Sequence, residues 1–354
     1  MKPVYIVSWL FALAVSFVSC DDWLDKTPKD RLYPDVYFKT EDELRLFTNQ
    51  FYNNLVPSAV DIYSESSDLI VKSDLMLEMS GQRIIPDEGN GWNFTALRDI
   101  NFYLQYSHNC TEVNARNRYD GVARFFRAYF YFEKVKRYGD IPWYDKALDS
   151  DDPELYKARD SREFVMQKML EDLDFAIANL PKTKNAYVLT RWTALALKSR
   201  VCLFEGTFRK YHGLEDCEKY LNACVSASET FMNESGYTLY KSGSTPYRDL
   251  FASINLQADE VIFGRDYEAS LSVLHNVQNY ENSTTMGRPG MNKKIVNSYL
   301  MADGSRFTDK AGYETMTFDQ ECQNRDPRLA QTIVPLDIRE SEVQRKKPRT
   351  WLIL

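Results

Sequence analysis

The sequence predicts a mainly α-helical protein, and three features of the chain lead to this prediction. Several stretches between residues 41 and 233 repeat apolar side chains at helical spacing. Capping residues stand at the starts of these stretches, and Gly or Pro follows several of their ends. Aromatic residues make up 14% of the chain, which is typical of closely packed helices or of a stacking surface. The 354 residues are enough to bury a sizeable core.

Two helices are expected in the first third of the chain. Thr40 and Glu43 form a capping box, so a helix should cover about residues 41–55. One face of that helix is apolar and contains Leu44, Phe47, Phe51 and Leu55. A turn-rich loop at residues 81–91 precedes Trp92, and a second helix should cover about residues 96–106.

The longest helical pattern covers residues 112–138. Its centre, residues 125–132, reads FFRAYFYF and is apolar around most of the circumference. A helix of this kind must be buried on several sides. Gly139 and Pro142 end the pattern, as a C-cap glycine followed by proline would.

Three more helices follow a loop at about residues 139–159. Residues 160–163 open a helix that Pro181 ends, and Thr190 caps the next one. A last helix at about residues 215–233 should turn one face inward, made up of Cys217, Leu221, Cys224, Ser228 and Phe231. We interpret Cys217 and Cys224 as buried thiols. Four long helices in succession predict helical hairpins stacked as in tetratricopeptide repeats. The roughly 34-residue period of those repeats is absent, so an irregular helical bundle is the alternative.

After residue 236 the pattern becomes irregular. Residues 260–263 predict a short strand, and residues 281–294 predict a long loop. We therefore expect a loop-rich region with a few short strands built on the helical scaffold. Irregular segments on a rigid scaffold are where binding residues often lie.

The N-terminus has the pattern of a bacterial lipoprotein signal. Lys2 precedes an apolar run at residues 4–18, and the small Ser19 is followed at once by Cys20. We expect residues 1–19 to be removed and Cys20 to carry lipid, with residues 20–39 as anchor and tether. An ordinary secretory signal with an incidental cysteine and a short membrane span are the alternatives. The acidic residues 21–22 resemble the surface-export signal of Bacteroidetes lipoproteins.

The composition argues against several classes of function. A net charge of −7 makes nucleic acid an unsuitable partner. The three histidines are far apart in the sequence and no cysteine pair has CxxC spacing, so neither a metal site nor any cofactor is expected. Asp and Glu total 51, yet nothing singles out a catalytic pair, so we do not expect an enzyme. A surface glycosidase is the weakest alternative.

Seven segments stand out along the chain: LDKTP (24–28), GWNFTALRDIN (91–101), ARFFRAYFYFEKVKRYGDIPW (123–143), RWTALALKSRVCLFEG (191–206), ADEVIFG (258–264), VNSYLMADGSRF (296–307) and RDPRLAQTIV (325–334). Taken in this order, they resemble the SusD/RagB family of outer-membrane nutrient-binding lipoproteins. The resemblance implies four tetratricopeptide-like units carrying an irregular region, and no catalysis. It also implies a lipid-anchored protein on the outer membrane that delivers nutrient glycans to a SusC-like TonB-dependent transporter.

Many members of this family bind glycans through aromatic side chains of the irregular face. An aromatic ring contacts the C–H face of a sugar, while polar side chains hydrogen-bond its hydroxyl rim. By this resemblance Trp92 is the candidate stacking platform, although it could instead cover the helical core. Further ligand-binding candidates are Asn93, Arg98, Tyr280, Arg83 and Asn282. We interpret the RDPRL stretch as structural.

The chain departs from the family near its end. Members continue with more helices, whereas residues 336–354 form an atypical tail with a basic run and an apolar stub. We therefore expect residues 40–335 to be a SusD-like helical domain that is incomplete at its C-terminal end. Two alternatives to glycan binding remain open at this point: an oligopeptide ligand, and a protein–protein scaffold with no small ligand.

Overall fold

A computed structural model describes residues 36–57, 70–71, 77–84, 89, 91–275 and 290–333. The helices are α1 (Glu41–Leu55), α2 (Leu77–Ser80), α3 (Thr95–Tyr106), α4 (Val113–Tyr138), α5 (Arg162–Asn179), α6 (Arg191–Tyr211), α7 (Cys217–Glu234), α8 (Pro246–Ala252), α9 (Lys293–Ser298), α10 (Phe318–Cys322) and α11 (Pro327–Thr332). The strands β1 (Ile70–Val71) and β2 (Gly290–Met291) pair antiparallel, with Ile70 opposite Met291. The prediction of a mainly helical fold with a few short strands is confirmed.

The starts of the helices follow from the side chains that cap them. Thr40 accepts a hydrogen bond from the backbone N–H of Glu43, whose carboxylate accepts one from the N–H of Thr40. Thr190 and Thr193 form the same reciprocal box at the start of α6. Each box satisfies N–H groups that a helix leaves unpaired at its first turn. The predicted bounds of α1, α3, α4 and α7 are correct to within two residues.

Helix α4 lies at the centre of the molecule. Fourteen of its 26 residues are buried, including the run from Phe125 to Phe132. It packs against α1, α3 and α5. Aromatic rings fill the space between these helices: Phe126 lies edge-on to Phe51 at 6.1 Å and to Tyr52 at 5.0 Å. The all-round apolar pattern of this segment is therefore explained by burial on several sides.

Consecutive helices pack in pairs along the chain, α4 with α5 and α6 with α7, and α5 joins the pairs by packing on α6. Helix α7 buries little, since Tyr220 and Ala227 are its only buried residues. The face predicted to point inward is half-buried: Ser228 Oγ lies 2.8 Å from Ser199 Oγ. Cys217 and Cys224 are likewise half-buried, so their interpretation as buried thiols is wrong. Among the described residues α6 makes the main contact with α7, and this face remains partly open.

Two buried ion-pair networks link the helices. The guanidinium of Arg127 on α4 donates to both carboxylate oxygens of Asp172 on α5, each at 2.7 Å, and to Asn101 on α3 at 3.2 Å. Farther along, Glu205 on α6 is fully buried and accepts from Arg162 and Arg209. Each buried carboxylate thus has guanidinium partners, as burial of its charge requires.

The predicted strand at residues 260–263 is absent. Val261 and Phe263 are buried, but their backbone follows a loop in which Gly264 N–H donates to the carbonyl of Ala186 at 2.8 Å. The alternation of apolar residues there reflects burial under the helices rather than pairing in a sheet. Beyond β2, the chain folds around Arg325, whose guanidinium donates to four backbone carbonyls. These contacts agree with a structural role for the RDPRL stretch.

Candidate functional site

A groove of about 840 Å³ opens between the end of α1, the start of α3 and the middle of α4. Its lining combines amides, charges and apolar surface: Asn53, Asn54, Leu55, Val56, Pro57, Asn93, Thr95, Ala96, Asp99, Tyr129, Phe130, Glu133, Lys134 and Arg265. Asn53 and Asn54 are exposed at the last turn of α1. Phe130 and Tyr129 contribute the floor from the buried side of α4.

The loop that precedes α3 forms one edge of the groove. The carboxamide oxygen of Asn93 accepts from Thr95 N–H at 2.8 Å, a local turn that leads into α3. The ammonium of Lys134 donates to the carbonyl of Gly91 and lies 4.9 Å from the centre of the Phe130 ring. Helix α4 therefore holds the loop through a lysine that faces the groove.

Burial shifts the ionisation of two groove residues. It raises the pKa of the Asp99 carboxyl, and the neighbouring Arg98 only partly offsets this effect. It lowers the pKa of the Lys134 ammonium, and repulsion from Arg137 acts in the same direction. Glu133 forms an ion pair with Lys136 at 2.7 Å. Burial thus reduces the hydration of Asp99 and Lys134, and the carboxylate of Glu133 already has a cationic partner.

Trp92 lies beside this groove and is 40% exposed. Its ring meets Phe94 at 5.3 Å and Tyr138 at 4.9 Å, both edge-on, which fixes its position near the end of α4. The guanidinium of Arg159 lies over the ring at 4.9 Å. Trp92 is one residue from the groove-lining Asn93, so its exposed part extends the surface next to the groove.

The other predicted binding residues fall in different places. Arg98 faces the loop after α4, where its Nε donates to the carbonyl of Leu148 at 3.2 Å. Arg83 lies in the exposed turn after α2. Tyr280, Asn282 and the lipidation candidate Cys20 lie outside the described residues. The structure therefore brings Trp92 and Asn93 together at one edge of the groove, with Arg98 one turn farther along α3.

Most of the groove was not identified from the sequence. Asn53, Asp99, Lys134 and Arg265 come from four separate segments. Asp99 and Lys134 lie in segments that resemble the family, but neither was singled out as a binding residue. The four residues come to line one groove only when α1, α3 and α4 pack together. In the part of the chain that the structure describes, no cluster of three or more metal-ligating side chains is present. The same residues contain no helix with the length and apolarity needed to cross a bilayer.

Comparison with protein families defines the class of this chain. Residues 79–191 match a family described as SusD-like, starch-binding and associated with the outer membrane, and residues 228–341 match the SusD family. SusD-like protein P2 of Formosa agariphila is 26% identical over 294 residues, which are 77% of this chain and 55% of that protein. SusD-like protein P38 of the same organism is 24% identical over 226 residues, covering 58% and 43%. The chain belongs to the SusD/RagB family, and it spans about half the length of these relatives.

Solved structures show the same fold. A SusD-like protein from Bacteroides fragilis superposes with a TM-score of 0.67 at 21% identity, over 86% of this chain and 62% of that one. A SusD-like carbohydrate-binding protein from the same organism gives 0.67 at 17% identity, over 83% and 59%. A third structure, described with a bound xylogluco-oligosaccharide, gives 0.57 at 18% identity, over 73% and 55%. The likeness establishes the helical fold of the chain.

Proposed function

We propose that this protein is a non-catalytic cell-surface lipoprotein that binds an oligosaccharide and passes it to a SusC-like TonB-dependent transporter. The observation that carries the proposal is the mixed groove beside the half-exposed Trp92. Amide and charged groups at its edges can hydrogen-bond sugar hydroxyls, and the exposed part of Trp92 offers apolar surface for a sugar face. Its volume of about 840 Å³ suits a small oligosaccharide.

Membership of the family supports the glycan as the ligand class, since its members include carbohydrate-binding proteins. The xylogluco-oligosaccharide in one structurally similar protein also supports a glycan as the ligand. In this proposal Asn93 hydrogen-bonds the ligand and Trp92 stacks on it. Arg98 acts indirectly, by tying α3 to the loop around Leu148. Arg83, Tyr280 and Asn282 remain candidate contacts.

The ligand proposal is tested by titrating the full chain, in detergent, with a panel of oligosaccharides by calorimetry. Trp92→Ala should weaken binding about tenfold, because an aromatic contact is worth about 0.5–1.5 kcal/mol beyond its buried area. Tyr211→Ala is the matched control, since Tyr211 is 81% exposed at the end of α6, away from the groove. Unchanged affinity in Trp92→Ala would remove this ring from the site.

The membrane proposal rests on Cys20 and is tested separately. Cells fed an alkyne-labelled fatty acid should label the wild-type protein, and Cys20→Ser should abolish the label and release the protein from the membrane. A labelled Cys20→Ser variant would contradict the anchor. Co-purification of a TonB-dependent transporter with the intact protein from outer membranes tests the partner; its consistent absence would count against that half of the proposal.

A further inference from the structure

We propose that the groove selects acidic oligosaccharides, carrying uronate carboxylates or sulfate esters, over neutral ones. The inference rests on the proposed function, because it names the substrate class of the same groove. It depends on three cations at the groove, for which the described residues show no ion pair with a carboxylate, and on the two carboxylates that line it.

Lys134 is the first of these cations. It lies on the groove face of α4, and its contacts are the carbonyl of Gly91 and the face of Phe130. Neither contact cancels its charge. Burial lowers the pKa of this ammonium, which means that its charged form is poorly solvated. An anionic ligand would add a counter-charge to the attraction that the neighbouring Glu133 already provides.

Arg265 also lines the groove, next to the end of α1. Its guanidinium donates to the carbonyl of Val56 at 3.4 Å and lies 5.8 Å from the centre of the Tyr267 ring. Arg159 covers Trp92, at the edge of the same surface, and its hydrogen bond goes to the carbonyl of Asp140 at 3.5 Å. Among the described residues, no carboxylate forms an ion pair with either guanidinium. The guanidiniums of Arg265 and Arg159 therefore have N–H donors and positive charge available to a ligand.

The two carboxylates of the groove oppose this positive charge only weakly. Glu133 attracts its neighbour Lys134, but it is already paired with Lys136 at 2.7 Å. Asp99 is half-buried, burial raises its pKa, and the neighbouring Arg98 attracts its carboxylate. Three cations, Lys134, Arg265 and the adjacent Arg159, thus stand against two carboxylates, one of which is already paired, in a chain whose net charge is −7. Positive potential in a concave site attracts anions even when the whole protein is acidic.

Matched pairs of ligands test the inference. Oligogalacturonides are compared with the same oligosaccharides after their carboxyl groups are reduced, and sulfated carrageenan oligosaccharides with their desulfated forms. The full chain in detergent is titrated at about 50 mM and about 500 mM NaCl, since salt screens exposed charges within a few ångströms at the higher concentration. At low salt at least one acidic ligand should bind about tenfold tighter than its neutral match, and high salt should remove most of that difference.

Charge-removing variants locate the effect. Lys134→Gln and Arg265→Gln should each weaken binding of the acidic ligand several-fold more than binding of its neutral match, which can also weaken slightly because each cation holds a backbone carbonyl beside the groove. Lys168→Gln is the matched control, because Lys168 lies on α5 and is paired with Glu171 at 2.8 Å. Circular dichroism melting curves check that each variant is folded.

The outcomes separate this inference from the proposed function. If neutral ligands bind as tightly as their acidic matches, or if the two variants lose affinity for both equally, the groove binds glycans without the proposed selectivity. If the carboxylated ligand is preferred but the sulfated one is not, uronate is the recognised group, and the reverse result identifies sulfate. If no oligosaccharide binds at either salt concentration, the proposed function itself is wrong.

Discussion

Gly206 lies where α6 and α7 approach each other closely. A methyl group at this position would lie 2.7 Å from Cδ2 of Leu221 and 3.1 Å from its backbone nitrogen. A side chain can move, but the backbone of α7 cannot yield without shifting the helix. We therefore expect Gly206→Ala to lower the free energy of unfolding by about 1–3 kcal/mol, measured by urea denaturation.

Gly121 provides the matched control for this prediction. It lies inside α4, and a methyl group there would meet Leu180 at 3.4 Å, which is ordinary contact. Alanine favours a helix interior over glycine by about 1 kcal/mol, so Gly121→Ala should be neutral or stabilising. Equal destabilisation by both substitutions would show that helix packing at Gly206 is not the cause.

Asp120 makes stability depend on pH. Burial is the largest influence on this carboxyl and raises its pKa above the ordinary 3.8, while the hydroxyls of Ser107 and Tyr103 partly offset the effect. The folded protein therefore holds the proton more tightly than the unfolded chain. The resulting cost is absent well below about pH 4, grows as pH rises through the folded pKa, and is then constant.

Asp120→Asn should remove that cost. We expect the variant to be more stable than the wild type at about pH 7 and the difference to shrink as the pH falls toward about 4. Urea denaturation at several pH values measures it. A variant that is less stable at neutral pH would show that the carboxylate gains more from its hydroxyl partners than burial costs.

The buried ion pair between Arg127 on α4 and Asp172 on α5 should contribute strongly to the stability of the packing between these two helices. Removing one member of a buried ion pair costs about 3–5 kcal/mol, because the other charge remains buried without a partner. Asp172→Asn should therefore shift the urea midpoint strongly. Asp174→Asn, on the same helix, breaks an exposed pair with Lys198 and should cost less than about 1 kcal/mol. If Arg127→Met partly restores Asp172→Asn, the stranded guanidinium is the cause.

The helices could be predicted because the information for them is local. Thr40 and Thr190 mark the starts of α1 and α6, and Gly139 marks the end of α4. The strand at residues 260–263 could not be judged in this way, since alternating apolar residues appear equally in a strand and in a loop pressed against a core. The N–H groups of Glu260 and Val261 donate to the carbonyl of Gln257 in a local turn, and no strand pairs with this segment among the described residues.

The groove is a property of packing rather than of any segment. Trp92 and Asn93 were identified because they lie in the segment GWNFTALRDIN (91–101), which leads into α3. Lys134 sits among core residues of α4, and nothing in the sequence around it distinguishes a groove-facing lysine from a solvent-facing one. Arg265 follows a buried loop whose position depends on α1. Recognition of the site therefore requires the three-dimensional arrangement.

At the scale of the whole molecule, the chain has a strong helical centre and a more loosely attached C-terminal part. The main aromatic core runs from Phe38 to Phe263 and surrounds α4. Residues 296–326 are held chiefly by one another: Arg325 is 6% exposed, stacks on Phe307 at 3.8 Å and binds the carbonyls of Val296 and Tyr299, each at 2.8 Å. This part reaches the helical layer through α8, where Arg248 N–H donates to Gln331.

This arrangement predicts that residues 296–326 can unfold without the helical centre. A substitution at Arg325 tests this prediction. Arg325→Met leaves several buried carbonyls without donors, each costing about 1–3 kcal/mol, so amides of residues 296–326 should exchange at least about tenfold faster. Amides of α4 should keep their rates, because its core does not include this segment. Arg328→Met is the control, since Arg328 is exposed and pairs only with Asp326 among the described residues. Hydrogen–deuterium exchange read by mass spectrometry distinguishes the cases: faster exchange in α4 as well would mean that the C-terminal part and the helical centre unfold as one unit.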